Sequence, residues 1–223
     1  MVNIFVLKEP EADTSVKAAE TAASKEKVSL DNRVWLYVVL ILAMVLWVYP
    51  VMSGTSNFLT DRAIGSVALI ATVVSMYNLG SALCSEIFGN IYKKLGAIGF
   101  GCFVIGTALG FITLLMSRSL FVAGIGTFLC GACSSICRLY LIQWAGDISK
   151  EPRAKNFVTT LLTACISLAS FLSSYWITAC RYMGQAFTMF SSETERTFCI
   201  GAILFAVLGI LTIAKPPVPK EKQ

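Results

Sequence analysis

Residues 95–117 read LGAIGFGCFVIGTALGFITLLMS, a run of 23 residues without a charged side chain. A helix rises about 1.5 Å per residue, so such a run is long enough to cross about 30 Å of hydrocarbon. In water it would have to be buried on every side, which a small domain does not achieve. This stretch therefore predicts a helix that crosses a lipid bilayer.

The rest of the chain repeats the pattern. Of its 223 residues 56% are hydrophobic and only 14% are charged, whereas a soluble domain carries about 25% charged residues. Charge-poor intervals predict six spanning helices, at about 34–53, 66–92, 97–116, 120–146, 157–180 and 198–214. We therefore expect an all-α, multi-pass integral membrane protein with the lipid bilayer as its surroundings.

The two ends of the chain differ from this bundle, 34–214, in composition. Residues 1–33 carry many charges of both signs and lack an apolar core behind a basic start, so they predict a cytoplasmic linker and not a signal peptide. Residues 215–223 predict a cytoplasmic tail. Eleven Lys and Arg residues then lie on the side of the termini and four on the other side. This imbalance predicts that both termini are cytoplasmic. We expect the membrane to be the plasma membrane.

Several classes of function are excluded by what the sequence lacks. Histidine is absent, and no nucleophile-elbow, zinc-protease or nucleotide-binding motif occurs. Cys130 and Cys133 have a metal-ligand spacing, but they lie inside an apolar run without a second pair, as small packing residues do. The net charge of +5 is spread over loops. We therefore predict no catalytic residues, no enzyme activity, no metal, no cofactor and no nucleic-acid partner.

Two charged residues inside the predicted spans are candidate functional residues. Glu86 and Arg138 each lie about two turns from the cytoplasmic end of a span, where an isolated charge costs several kcal/mol unless it meets a partner or water. Their similar depth predicts an ion pair. Glu86 then acts as a proton-coupling carboxylate and Arg138 attracts an anion or gates the path. The alternative is a structural ion pair, or side chains that extend to the cytoplasmic interface.

Uncharged polar residues extend the candidate pathway. Asn78 and Gln143 lie within predicted spans, and Ser167, Ser170, Ser173 and Ser174 recur at helical spacing. Such a face either lines a cavity or bonds to its own helix carbonyls. The predicted substrate or ion pathway comprises Glu86, Arg138, Asn78, Gln143, Ser170 and Ser174.

The segment Gly89-Asn-Ile-Tyr-Lys93-Lys94-Leu-Gly96 resembles the signature loop of the major facilitator superfamily, Gly-x-x-x-Asp-Arg/Lys-x-Gly-Arg. Gly89, Lys94 and Gly96 match it. Lys93 replaces the acidic residue, and Ala97 stands where the last basic residue would be. Such a degenerate signature is similar to that of the family's second half. As a pattern of spans, the resemblance covers residues 34–214.

This resemblance implies a twelve-helix transporter built from two six-helix bundles, each a pair of inverted three-helix repeats. The chain holds one bundle, so it is either a half that dimerises or a fragment, the carboxy-terminal half of a longer protein. Residues 2–7 resemble the end of a preceding helix, which favours the second interpretation.

The implied function is secondary active transport of a small solute by alternating access, driven by an ion or solute gradient, with protons as the candidate coupling ions and a second six-helix half as partner. The alternative is a membrane scaffold that transports nothing and packs through glycine-rich helices, as the spacing of Gly106 and Gly110 indicates.

Overall fold

A computed structural model describes residues 32–149, 152–183 and 192–218. The predicted linker therefore lies outside the described residues apart from its last two positions, as does the end of the predicted tail. The described residues form helices and no strand: α1 (Asn32–Asp61), α2 (Val67–Leu115), α3 (Leu120–Ile148), α4 (Pro152–Met183) and α5 (Glu193–Ala214). All five are long and apolar enough to cross a membrane. The prediction of an all-helical chain is thus confirmed for the described residues, and their five helices are compatible with a multi-pass membrane protein, although six spans were predicted: residues of the predicted spans 66–92 and 97–116 lie in the single helix α2.

The longest helix, α2, is broken at one residue. As a straight rod its 49 residues would measure about 74 Å, more than twice the hydrocarbon thickness. Gly96 has φ 52° and ψ −139°, which are not helical angles. Glycine adopts such a positive φ readily because it has no Cβ. The break divides α2 into a first arm, 67–95, and a second arm, 97–115.

The two arms run along α3 in opposite directions. In the first arm, Val73 accepts a hydrogen bond from Thr127 and Ser81 accepts one from Ser135, so residue numbers rise together on the two helices. In the second arm the order is reversed, because the carbonyls of Phe100 and Thr107 lie 3.8 Å from the Sγ atoms of Cys137 and Cys130, respectively. The chain therefore reverses its direction at Gly96.

Close contact between the first arm and α3 depends on glycine. A Cβ on Gly131 would overlap the carbonyl oxygen of Tyr77, and a Cβ on Gly80 would lie 2.5 Å from the carbonyl oxygen of Phe128. Small residues at such positions allow two backbones in a membrane to approach each other. Consequently α3 is buried along most of its length between the arms of α2, with α1 and α4 also in contact with it.

The ends of three helices differ from the predicted spans. α1 continues to Asp61 although the predicted span ends at 53, because Phe58 and Leu59 are fully buried and extend the apolar stripe. α4 begins at Pro152 and not at 157, since proline suits a first helical turn and Ala154 is already buried. α5 likewise begins at Glu193, before the predicted 198.

Helix α4 lies on a different flank of the bundle from α2. It contacts α1, α3 and α5, and none of its described residues approaches α2. The second arm of α2 instead packs against α5, where Phe111 stacks on Phe205 with ring centroids 5.8 Å apart. The first arm of α2 and α4 are therefore two peripheral helices, each anchored along one stripe.

Candidate functional site

The first arm of α2 has a polar face that no described helix covers. Ile70, Val73, Tyr77 and Gly80 form its buried stripe against α3. Asn78 and Glu86, eight residues apart and therefore on one face, are exposed. Other exposed positions of that face are small or polar, namely Ser75, Ala82 and Gly89, and Ser85 lies at its edge, where its hydroxyl meets α3.

The neighbouring exposed face of the same arm carries large apolar side chains, and Glu86 lies near the boundary because it follows Leu79 by seven residues, or about 20° around the helix axis. Leu79 and Leu83 are 47% and 53% exposed, and Ile87 is similar. In a bilayer this face suits lipid, whereas the face with Asn78 and Glu86 does not, since a charge in hydrocarbon costs several kcal/mol. The first arm therefore presents one side to α3, one apolar side that suits lipid and one polar side that suits water, a solute or another protein.

Glu86 and Arg138 do not form the predicted ion pair. Arg138 is half-buried, and it follows Ser134 and Ser135 by about one turn on the side of α3 that faces the first arm. Within the described ranges neither charge has an ion pair or a hydrogen bond. The prediction considered depth alone. Rotation about the helix axis places Glu86 on an exposed side of the first arm, nine residues and so about half a turn of rotation away from the buried Tyr77.

Between these two charges the helices are joined by hydroxyl groups. The hydroxyls of Tyr77 and Ser134 are 3.2 Å apart, and those of Ser85 and Ser135 are 2.8 Å apart. Ser135 also donates to the carbonyl of Ser81 at 3.3 Å. The sequence did not single out Ser134 and Ser135, although two adjacent hydroxyls in an apolar run indicate a polar neighbour.

Gln143 makes a hydrogen bond within its own helix. Its Nε2 donates to Oδ1 of Asp147 at 3.0 Å, one turn further along α3. This contact lies in the last turns of α3, next to the charged side chain of Asp147. The structure thus places Gln143 near the end of α3, whereas Asn78 lies well inside α2.

The predicted serine face of α4 is exposed in part. Ser167 and Ser174 are exposed and Ser170 is half-buried, but Ser173 is 2% exposed and faces the bundle. Ser170 donates to the carbonyl of Ile166 at 2.9 Å and Ser167 to that of Thr163 at 3.4 Å. These are the local bonds of the alternative interpretation. Because the hydroxyl protons point to the backbone, the oxygen lone pairs remain on the exposed side as acceptors.

The site residues on α4 and α2 are not brought into one cavity. No described residue of α4 contacts α2, so Ser170 and Ser174 belong to one uncovered polar face, and Asn78 and Glu86 to another. A third polar feature is a cavity of about 240 Å³ where α1, α4 and α5 meet. It is lined by Pro50, Ser53, Gly54, Asn57, Ile177, Glu193, Thr194 and Thr197.

The signature-like segment closes the other end of the first arm. Lys93 and Lys94 are exposed, and a Cβ on Gly89 would meet nothing within 4 Å. Gly96 carries the positive φ of the break. Beside them the rings of Phe88, Tyr92 and Tyr140 contact one another, with centroids 5.2–5.6 Å apart. The four predicted signature residues therefore lie together at the reversal of the chain.

The cysteines of α3 act as packing residues. Cys130 and Cys137 are fully buried, and Cys133 lies against Gly106. In the ranges that the structure describes, no group of three metal-ligating side chains occurs.

Comparison with protein-family models, curated proteins and solved structures finds no match to this chain. The similarity to the major facilitator superfamily accordingly stays a prediction from the signature-like segment.

Proposed function

We propose that this chain is one half of a secondary active transporter of the major facilitator type, moving a small solute by alternating access. The observation that carries the proposal is the uncovered polar face of the first arm, with Asn78 and Glu86. A transmembrane helix with such a face needs water or protein beside it. A solute pathway between two bundles supplies both.

The proposal includes six membrane crossings. The arms of α2 run in opposite directions along α3, and each is long enough to cross separately. With six crossings both termini lie on one side of the membrane. The excess of Lys and Arg on that side, including Lys93 and Lys94, favours the cytoplasm of a plasma-membrane protein.

A reciprocal contact supports inverted three-helix repeats. A Cβ on Gly101 would lie 2.5 Å from Cγ1 of Ile213, and a Cβ on Gly209 would lie 2.5 Å from Cγ1 of Ile105. The second arm and α5 thus make the same contact with roles exchanged, as a local two-fold axis requires. The peripheral helices follow the same rule, because the first arm packs on α3 whereas α4 packs on α1.

In this proposal Glu86 carries the coupling proton and Arg138 acts on the charge of the solute. Glu86 has no basic partner in the described chain, so its carboxylate is available to bind and release a proton from an aqueous path. The hydroxyl oxygens of Ser170 and Ser174 on α4 provide acceptors on the second polar face. The partner is a second six-helix half, either fused, separate or a second copy.

Reaction with a water-soluble thiol reagent tests the polar face directly. Cysteine is introduced at Asn78, Ala82 or Glu86, and as matched controls at Leu79 and Leu83, after the partly exposed Cys84, Cys102 and Cys199 are replaced by alanine. In lipid vesicles we expect the first set to react with a membrane-impermeant thiosulfonate and the leucine positions not to react. Equal reactivity of both sets would refute a water-lined face.

Proton movement tests coupling. Vesicles loaded with a pH-sensitive dye are given a panel of small solutes. A solute that acidifies the lumen should do so with the native chain and not with Glu86→Gln. Acidification that persists in Glu86→Gln contradicts the proposed role of Glu86.

The scaffold function has one specific observation in its favour. The contact of Gly131 with the Tyr77 backbone and the hydroxyl bonds beside it hold the first arm rigidly on α3, which suits a static support. If cysteines at Asn78 and Glu86 crosslink to a second protein and stay unreactive toward the water-soluble reagent, the polar face is an assembly surface.

A further inference from the structure

An apolar groove lies between the beginnings of α2 and α3, on the side of the first arm that carries the exposed leucines. It has a volume of about 500 Å³. Its walls are side chains of two parallel helices: Leu69, Thr72, Val73 and Met76 of α2, and Leu120, Phe121, Gly124, Ile125, Phe128 and Leu129 of α3. None of these residues belongs to the polar faces described above.

The groove contains no free polar group. Its one hydroxyl, that of Thr72, donates to the carbonyl of Ala68 at 3.2 Å. Phe121 is 78% exposed and Ile125 is 42% exposed. Since these helices are apolar enough to span a membrane, hydrocarbon is the medium that meets such a surface.

The absence of a side chain at Gly124 creates the floor of the groove. A Cβ there would touch only Cγ of Met76, at 4.0 Å. This differs from Gly80 and Gly131, where a Cβ would meet backbone atoms. Gly124 therefore leaves open space that the packing of the two helices does not require.

The length of the groove suits an acyl chain. From residue 120 to residue 129 the wall is about 14 Å long at 1.5 Å per residue, close to half of a hydrocarbon core about 30 Å thick. The length of the groove is therefore that of one leaflet, which suits an acyl chain.

A cation precedes the α3 wall of the groove in the chain. Arg118 is exposed, two residues before Leu120, and within the described part of the chain it has no hydrogen bond or ion pair. It also precedes Ser119, the N-cap of α3, where the helix dipole adds partial positive charge. A phosphate group at this position would meet favourable charge while its acyl chain enters the groove.

We propose that the groove binds one phospholipid of the surrounding bilayer, with an acyl chain between α2 and α3 and an anionic headgroup at Arg118. The groove does not depend on the transport proposal, since it shares no residue with the polar faces.

Photolabelling tests this site with defined probes. The full chain is placed in phosphatidylcholine vesicles that contain a few mole per cent of phosphatidylglycerol with a diazirine in one acyl chain. After illumination the labelled peptides are mapped by mass spectrometry. We expect labels concentrated in 69–76 and 120–129. Labels spread evenly over the exposed residues of α4, such as Leu168 and Phe171, would overturn the proposal.

Two variants that each introduce a leucine, one in the groove and one outside it, test whether the labelling depends on the groove. Gly124→Leu fills the groove and should lower labelling of 120–129 by about fivefold or more, because the added side chain takes the contacts of the acyl chain. Ala164→Leu, at an exposed position of α4, should leave it unchanged. The mapping on the unaltered chain does not depend on how either variant folds. Equal labelling in both variants would refute the site.

Further labelling experiments distinguish the contribution of the headgroup and identify other occupants of the groove. With a diazirine phosphatidylcholine the same peptides should be labelled less, and Arg118→Gln should remove the difference between the two lipids. If a diazirine fatty acid labels the groove and neither phospholipid does, the occupant is a free acid and the proposal is wrong. If the Phe121→Cys variants of two chains form a disulfide crosslink, the groove is covered by a partner helix and the lipid proposal is wrong.

Discussion

The guanidinium of Arg62 binds one carboxylate oxygen of Glu195 through two hydrogen bonds. Its Nε and Nη2 donate to Oε1 of Glu195 at 3.0 and 2.7 Å, and its Nη1 donates to the carbonyls of Leu115 and Ser117. The guanidinium carbon also lies 4.3 Å from the centroid of the Phe58 ring. One side chain therefore joins the end of α1, the end of α2 and the beginning of α5.

This arrangement predicts unequal effects at the two partners. Arg62→Ala removes the donor to two carbonyls, so we expect a loss of about 1–3 kcal/mol in the free energy of unfolding. Glu195→Gln keeps an acceptor for the guanidinium, and a partly exposed ion pair contributes about 1 kcal/mol or less. Unfolding midpoints of both variants in detergent measure the difference. A larger loss in Glu195→Gln would show that the ion pair dominates over the bonds to the carbonyls.

The reciprocal contact of the second arm and α5 predicts that substitutions at Gly101 and Gly209, which are far apart in the sequence, lower the free energy of unfolding equally. Gly101→Leu and Gly209→Leu each force a side chain against an isoleucine and its backbone, so each should cost about 1–3 kcal/mol or more. Gly89→Leu is the matched control, because a side chain there meets nothing within 4 Å. Thermal unfolding of the three variants tests this. A clear difference between Gly101→Leu and Gly209→Leu would contradict the two-fold arrangement.

The contact between the first arm and α3 predicts that shape matters more than its hydrogen bond. Tyr77→Phe removes the bond to Ser134, and such bonds in membrane proteins contribute about 0.6 kcal/mol on average. Gly131→Ala places a methyl group on the Tyr77 carbonyl and should cost about 1–3 kcal/mol or more. Unfolding midpoints in detergent compare the two, and a larger effect of Tyr77→Phe would reverse this order.

The separation of Glu86 from Arg138 predicts the absence of coupling between them. In a double-mutant cycle of Glu86→Gln and Arg138→Gln, we expect the effects on unfolding to add within about 0.5 kcal/mol. The same cycle on Arg62 and Glu195 provides a positive control. A coupling energy well above this limit at Glu86 and Arg138 would show that the two charges meet in solution.

The backbone angles of Gly96 predict that replacing it by alanine lowers stability, although the position is exposed. Gly96→Ala gives a residue with a Cβ at φ 52° and ψ −139°, which costs about 1–3 kcal/mol. Gly89→Ala, in the helix before it, should instead stabilise by up to about 1 kcal/mol through helix propensity. Opposite shifts of the unfolding temperature are expected. A stabilised Gly96→Ala would indicate that the chain does not turn there.

The helices could be predicted because charge and hydropathy are properties of single residues. The interval 95–117 needs no partner to be recognised as a spanning helix. The ends were less accessible, since α1 extends to Asp61 only because Phe58 and Leu59 are buried by other helices. Propensity alone does not specify such tertiary contacts.

The candidate site was less predictable than the fold. Depth in the membrane follows from sequence position, so Glu86 and Arg138 were placed at similar levels. Their rotation about the helix axes depends on where Gly80 and Gly131 allow the helices to touch. The groove at Gly124 was equally hidden, because a glycine that packs and a glycine that leaves space look the same in sequence.

The one-residue joint at Gly96 limits how the arms of α2 can move. A loop would allow the two helices to slide along their axes, whereas a single residue with no slack holds their adjoining ends at a fixed separation. Sliding of one arm along the other is therefore excluded by the covalent geometry at this residue, and the register between the two arms is set where they join.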